Sequence, residues 1–271
     1  MSQSSESVSH KTTAPAVVRA VHLLDVIAKA AGPLTLADLV RATGYPKSTL
    51  HGLCETLVHL RLIKRSPTGA MSLGPYVMGW AHAFLSQTDL TEEFAGIWAN
   101  TTDFEEDTLT LSMLDGSDVI YLACRNGNQP LGVTFRMGMR LPAAYTATGK
   151  AMLSTLPESE VAALFEHEWP APLTDAGVKG LPELFVELRQ VRELGYSIDD
   201  GQMREGMTCF GAPVFDASGR VVAGLAVSVL DSAVDAKRGQ RIGERIRDLA
   251  DELSRRLGAP AQRRTLGSAS R

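Results

Sequence analysis

Residues 35–73 read TLADLVRATGYPKSTLHGLCETLVHLRLIKRSPTGAMSL. Thr35 and Asp38 have the spacing of a helix cap, and the apolar residues that follow predict a short helix over residues 36–43. Gly44 then favours a turn, because glycine adopts the backbone angles that end a helix. This stretch therefore begins with a capped helix and a tight turn.

A second helix is predicted over residues 46–60, with proline in its first turn. Four leucines are expected on its buried face: Leu50, Leu53, Leu57 and Leu60. Two short strands, residues 62–64 and 70–73, follow around a turn that contains proline and glycine. With a helix predicted over residues 16–31, this order of elements is the plan of a winged helix-turn-helix.

The second helix of a helix-turn-helix protein places its first residues against the base edges of the major groove. Lysine and arginine neutralise phosphates there, hydroxyls donate to phosphates or bases, and a histidine is long enough to contact a base. Six side chains are therefore predicted to contact DNA: Lys47, Ser48, Thr49, His51, Lys64 and Arg65. A winged helix that contacts another protein instead is the alternative.

A linker helix is predicted over residues 75–88, after the winged helix-turn-helix of residues 15–74. Its apolar face includes Trp80 and Phe84, which are expected either at a dimer surface or packed within one chain. The rest of the chain alternates short strands, paired around turns such as 115–116, with helices. This pattern predicts an α+β fold with an antiparallel sheet over residues 89–258.

The strands and helices predicted in this larger part are short, and turns separate them. The strands are predicted at residues 109–114, 119–123, 131–135, 196–198, 208–215 and 221–229, and the helices at 89–102, 148–153, 158–165, 182–194 and 233–257. Residues 1–14 and 259–271 lack periodic apolar positions, so both are expected to be disordered tails.

The length of 271 residues fits about two domains, and no apolar run reaches the length of a membrane span or a signal peptide. Three widely spaced cysteines match neither a disulfide framework nor a zinc site, so no metal is expected. We therefore expect a cytoplasmic protein without a membrane partner.

The net charge of −4 conceals two unlike parts. Residues 14–71 hold seven basic and three acidic residues, a net +4, whereas residues 76–258 hold 16 basic and 27 acidic residues, a net −11. Because acidic surfaces repel phosphates, DNA is expected to contact the small basic part alone.

The chain lacks the signatures of the common enzyme and cofactor classes. GxSxG, HExxH and a strand-flanked GxGxxG do not occur. Residues 147–151, ATGKA, precede a helix whose N–H groups favour an anion, but Ala144 and Ala151 replace the glycine and hydroxyl of a nucleotide-binding loop. No cofactor and no catalytic activity are expected.

Three stretches closely resemble the IclR family of bacterial transcriptional regulators. They are residues 17–75, residues 140–157 (RLPAAYTATGKAMLSTLP) and residues 188–228 (LRQVRELGYSIDDGQMREGMTCFGAPVFDASGRVVAGLAVS). The resemblance covers about residues 15–258. It departs at Gly52, where the family commonly has a long basic residue, and at Tyr145, in a stretch where many members carry His-Ala. Ala226 stands where some small-acid sensors of the family carry a second serine.

The resemblance implies a GAF-like sensor domain that binds a small organic effector, and a homodimer or dimer of dimers on a pseudo-palindromic operator. The family's effector contacts fall on six residues of this sequence: Ala147, Thr148, Gly149, Asp199, Cys209 and Ser228. It implies a repressor of a catabolic operon that a carboxylate or aromatic effector releases, with an activator as the alternative. Cys209 as a small core residue is the alternative reading of that position.

Five methionines are candidates for flexible apolar lining of this site, or for core filling instead. They are Met113, Met137, Met139, Met203 and Met207. With Ala226, they favour an effector larger or less polar than glyoxylate or pyruvate.

Overall fold

A computed structural model describes residues 14–85, 90–128 and 135–260 of the chain. The chain divides into two compact units, Met1–Gln87 and Thr88–Arg271. Most of the tail predicted over residues 1–14 and of the tail over 259–271 lies outside the described residues, as do the last residues of the predicted linker helix.

The first unit has the predicted winged helix-turn-helix order. Its elements are α1 (Pro15–Lys29), α2 (Leu36–Thr43), α3 (Lys47–His59), β1 (Ile63–Arg65), β2 (Met71–Leu73) and α4 (Tyr76–Leu85). The two strands pair antiparallel, with Ile63 opposite Leu73 and Arg65 opposite Met71. The helix predicted as a linker, α4, falls within this unit.

Helix α2 has the predicted cap at its start and the predicted glycine at its end. The Thr35 backbone N–H donates to Asp38 Oδ2 at 2.9 Å, and the Asp38 N–H donates to Thr35 Oγ1 at 3.3 Å. Gly44 ends α2 with a φ of 68°, a left-handed conformation that glycine adopts without steric cost. Pro46 lies immediately before α3 as its N-cap residue.

The core of the first unit is formed by residues of α1, α2, α3 and the hairpin. Leu50, Cys54 and Leu57 are the buried positions of α3. The expectation that Leu60 is buried is wrong, because α3 ends at His59 and Leu60, just beyond it, is 49% exposed. The spacing of four and three residues places the cysteine, rather than a fourth leucine, on the buried face.

The second unit contains helices around one sheet. Its elements are α5 (Leu90–Ala99), β3 (Thr108–Asp115), β4 (Asp118–Arg125), β5 (Arg140–Pro142), α6 (Ala147–Leu153), α7 (Glu158–Leu164), α8 (Leu181–Leu194), β6 (Ser197–Asp200), β7 (Met207–Phe215), β8 (Val221–Leu230), a 3-10 turn (Asp231–Ala233) and α9 (Ala236–Arg256). This confirms the predicted α+β class.

The six strands form one antiparallel sheet in the order β5-β4-β3-β8-β7-β6. Most of the strand predicted over residues 131–135 lies outside the described residues, and Phe135 itself is buried but not in a strand. A short strand that the sequence did not predict, β5, pairs with β4 and places Leu141 opposite Val119.

Helix α6 is buried along its whole length and lies close against β7 and β8. A Cβ added at Gly211 would lie 2.7 Å from the Ala147 backbone, and one added at Gly224 would lie 2.8 Å from Thr148 Cβ. Glycines at these two strand positions therefore allow the helix to approach the sheet closely, and the first residues of α6 pack directly on β7 and β8.

Candidate functional site

The residues that the sequence singles out lie in two places, and the first is the exposed start of α3. Lys47 and Ser48 are exposed, Thr49 is half-buried, and the His51 side chain is 65% exposed. All four lie in the first five residues of the helix. The basic and hydroxyl groups predicted to contact DNA are thus accessible on one helix terminus.

Lys64 and Arg65 lie on β1, and both are exposed. Arg65 Nη2 donates to Glu55 Oε1 of α3 at 2.6 Å, and His51 Nε2 lies 3.9 Å from the same oxygen. The hydrogen bond from Arg65 lowers the pKa of Glu55, whose negative charge partly neutralises the Arg65 guanidinium. Sequence reasoning missed this role of Glu55, because its position beside the hairpin follows from tertiary packing.

Gly52 is exposed on α3, and a Cβ added there would meet no atom within 4 Å. Space for a longer side chain is therefore open at this position, where the sequence departs from the family that it resembles.

The second location is a cavity inside the second unit, between α6 and the sheet. Its lining is drawn from α6, five strands and the segments beside them: Thr110, Tyr121, Phe135, Thr146, Ala147, Thr148, Asp199, Met203, Cys209, Ala226 and Ser228. Five of the six predicted effector residues meet here; Gly149 does not. The cavity volume is about 10 Å³, about what one water molecule requires.

Asp199 is the charged side chain among these lining residues, and it is only 1% exposed. Its Oδ1 atom accepts the backbone N–H groups of Gln202 at 2.8 Å and Met203 at 3.1 Å. Burial raises the pKa of this carboxyl to about 6, although the charge of Lys150 and the two N–H groups oppose the rise. A carboxyl with this pKa is typical of a functional site.

The hydroxyl and thiol groups of the cavity are partly paired with one another. Cys209 Sγ lies 3.2 Å from Ser228 Oγ, and burial raises the pKa of this thiol well above its usual range. The Ser112 hydroxyl donates to Thr148 Oγ1 at 2.7 Å. Since Thr148 accepts that bond, its own hydroxyl hydrogen remains for another acceptor.

Gly149, the sixth residue predicted to contact the effector, does not line the cavity. Its N–H donates to Thr146 Oγ1 at 3.1 Å, which caps α6. A Cβ at this residue would lie 2.2 Å from the Ala143 carbonyl oxygen, so glycine is required for backbone packing. The motif residue therefore has a structural explanation.

Lys150 follows directly on α6, and its side chain is fully buried. Its Nζ donates to Glu187 Oε2 at 2.8 Å and to the Ile198 carbonyl at 2.5 Å, and does not line the cavity. Glu187 Oε1 in turn accepts Gln202 Nε2 at 2.7 Å. A chain of hydrogen bonds thus connects Asp199, through the backbone and side chain of Gln202, to Glu187 on helix α8.

Of the five methionines considered for the lining, Met203 lines the cavity. Met137 is 61% exposed. Met207 is buried in the hydrophobic core of the second unit, and the partly buried Met139 packs against that core. Sequence reasoning missed Thr110, Tyr121 and Phe135, which reach the cavity from β3, β4 and the segment before β5. No motif marks them, since only the folded sheet brings them to α6.

Within the described residues, no group of three or more His, Cys, Asp or Glu side chains has metal-binding geometry. Over the same part of the chain, every helix is too short or too polar to cross a bilayer.

Comparison with known proteins identifies both units. The model for the bacterial transcriptional regulator IclR C-terminal domain matches residues 82–255, and that for the IclR helix-turn-helix domain matches residues 16–67. The chain belongs to the IclR family. It is a helix-turn-helix transcriptional regulator, and members of this family bind DNA and small-molecule effectors.

Similar proteins match the chain over nearly its whole length. The HTH-type transcriptional regulator XynR of Escherichia coli is 32% identical over 90% of this chain and 98% of its own length. The crystal structure of the Agobacterium tumefaciens repressor BlcR is 44% identical, with a TM-score of 0.62, and covers 92% of this chain and 99% of that one. The Thermotoga maritima IclR structure, 22% identical with a TM-score of 0.71 over 90% of this chain and 99% of that one, has the same fold.

Proposed function

We propose that this IclR-family protein is a cytoplasmic repressor that binds a pseudo-palindromic operator and is released by a small organic effector. The observation that carries the proposal is the buried cavity at Ala147, Thr148, Asp199, Cys209 and Ser228, in a chain whose other unit is a winged helix-turn-helix. A catabolic operon is the proposed target. The repressor BlcR and the repressor AllR, 44% and 25% identical to this chain, support the direction of control.

Homodimers, or pairs of dimers, account for operator binding by a module this small. Few side chains at the start of one α3 helix contact DNA, so two linked half-sites raise the affinity through effective concentration. Trp80, 54% exposed and edge-on to the Tyr76 ring at 5.4 Å, is the proposed interface residue on α4. Phe84, the second residue predicted there, has a side chain outside the described part of the structure.

Effector binding requires the cavity to open, because its present volume suits one water molecule. Met203 is a flexible lining side chain, and its backbone N–H is held by Asp199. Movement of this turn is transmitted to α8 through the hydrogen bond between Gln202 and Glu187. A carboxylate or aromatic effector releases DNA to the extent that it binds one arrangement of the dimer more tightly than the other.

The DNA part of the proposal is tested with Lys47→Ala, and Lys237→Ala on the acidic unit is the matched control. Loss of a phosphate contact weakens binding to operator and unrelated DNA alike and flattens the salt dependence by about one unit. Fluorescence anisotropy over a range of salt concentrations measures both. An unchanged slope in the Lys47 variant contradicts the docking face and favours a winged helix that docks protein.

The effector part is tested with Ser228→Ala, which removes one hydroxyl from the cavity. We expect weaker effector binding with unchanged operator affinity. Unfolding of this variant shows instead that Ser228 is structural. If the protein is instead an activator, expression of a reporter gene under its control falls when the regulator is deleted.

A further inference from the structure

The two oxygens of the Asp199 carboxylate have unlike partners. Oδ1 accepts two backbone N–H groups, whereas Oδ2 is buried and no N–H or O–H group of the described residues donates to it. A buried acceptor without a donor is costly, and such groups are rare in folded proteins. Oδ2 belongs to a cavity-lining residue, so a bound molecule is in a position to supply the missing donor.

The protein itself offers one weak substitute for that donor. The Cys209 thiol lies within hydrogen-bond reach of the Asp199 carboxylate, and its Sγ lies 3.2 Å from Ser228 Oγ, where either group can be the donor. A thiol is a poor donor, and its hydrogen serves one acceptor at a time. A ligand hydroxyl at Oδ2 is a stronger donor than this thiol.

The remaining polar lining suits an oxygen that also accepts. Thr148 keeps a hydroxyl hydrogen for a ligand, since its oxygen already accepts from Ser112. Tyr121 stays protonated because burial raises the pKa of its phenol well above the usual range. No lysine, arginine or histidine is among the lining residues. A ligand carbonyl oxygen accepts from these hydroxyls but has no hydrogen to donate to Oδ2, whereas an alcohol group both accepts and donates.

We propose that the effector presents a hydrogen-bond donor to Asp199 Oδ2, so that the cavity selects an alcohol over the ketone of the same carbon skeleton. The inference rests on the proposed function, because it concerns the same cavity, and it specifies which chemical group the effector carries there. Sites built to bond a ligand hydroxyl reject analogues that lack it, because the protein group is left unpaired.

The test uses three alcohol and ketone pairs: 2-propanol with acetone, lactate with pyruvate, and 1-phenylethanol with acetophenone. Isothermal titration calorimetry on the full chain measures each affinity at pH 7.5. A hydrogen bond to a charged group corresponds to about tenfold or more, so the alcohol of at least one pair is expected to bind that much more tightly. A panel in which no alcohol exceeds its ketone, including one in which nothing binds, overturns the inference.

Asp199→Asn identifies the residue responsible. Asparagine keeps the oxygen that accepts from Gln202 and Met203, but replaces Oδ2 with an NH2 group, which donates. The preference is then lost or reversed, because the ketone supplies the acceptor that this NH2 needs. Asp200→Asn, at the exposed next position, is the matched control and keeps the wild-type preference. If Asp199→Asn does not fold, the wild-type comparison still decides.

Anisotropy on DNA from upstream of the gene, measured on the same samples, separates the two proposals. Selective DNA binding that ketones release and alcohols do not overturns the inference and leaves the proposed function standing. An alcohol preference in calorimetry without selective DNA binding supports the inference and contradicts the proposed function.

Discussion

Replacing Asp199 by asparagine is expected to make the folded protein more stable at neutral pH. The carboxyl has a pKa of about 6 in the folded state, against 3.8 for an ordinary aspartate. Folding therefore favours its protonated form, and ionisation in the buried cavity opposes folding. Since the folded state binds the proton more tightly, the unfolding free energy falls as pH rises from about 4 to about 6 and remains lower above that range.

The size of the effect follows from the two pKa values. A difference of about two units corresponds to about 3 kcal/mol at pH 7.5, because each unit is worth about 1.4 kcal/mol. Asparagine keeps the acceptor for the Gln202 and Met203 N–H groups and carries no charge. The stability gained by the variant over the wild type should thus grow by about that amount between acid and neutral pH.

Urea denaturation followed by circular dichroism, at several values between pH 4 and pH 7.5, measures this difference. Asp200→Asn, at the exposed neighbouring position, is the matched control variant. Parallel stability curves for wild type and Asp199→Asn would refute the reasoning, since they would mean that Asp199 titrates alike in the folded and unfolded chains.

Two further predictions concern the first unit. Glu55→Gln replaces the charged partner of Arg65 by a neutral amide, which is a weaker acceptor, and removes a negative charge from α3. DNA binding should therefore tighten and its salt dependence should steepen by about one unit in anisotropy titrations, whereas unchanged binding would place Arg65 away from DNA. Gly52→Ala should stabilise the unit by about 0.5–1 kcal/mol in urea denaturation, because its Cβ meets open space on a helix, and a loss of stability would show that the site is not open.

Local sequence signals predicted much of the fold. The Thr35 and Asp38 cap, the helices on either side of Gly44 and the strands around residues 115–116 all depend on neighbours in the chain, and all were found. Strand β5 was missed because it is short and exists through its pairing with β4. Leu60 was misplaced because a repeating pattern does not show where a helix ends.

The candidate site was predictable where a family motif marks the residue, and not elsewhere. Asp199, Cys209 and Ser228 come from β6, β7 and β8 and meet in one cavity. Gly149 shares the motif of Ala147 and Thr148 but does not line the cavity, and close backbone packing requires glycine there. Partners such as Glu187 and Tyr121 depend on tertiary contacts that no local pattern reports.

The central claim is that this protein regulates transcription by releasing DNA when a small molecule enters the second unit. Fluorescence anisotropy on DNA from upstream of its own gene, with scrambled DNA as control, tests it most directly when small carboxylates, alcohols and aromatics are added in turn. The account predicts selective binding with a steep negative salt dependence, abolished by at least one compound. Equal binding to both DNAs under every condition would contradict it.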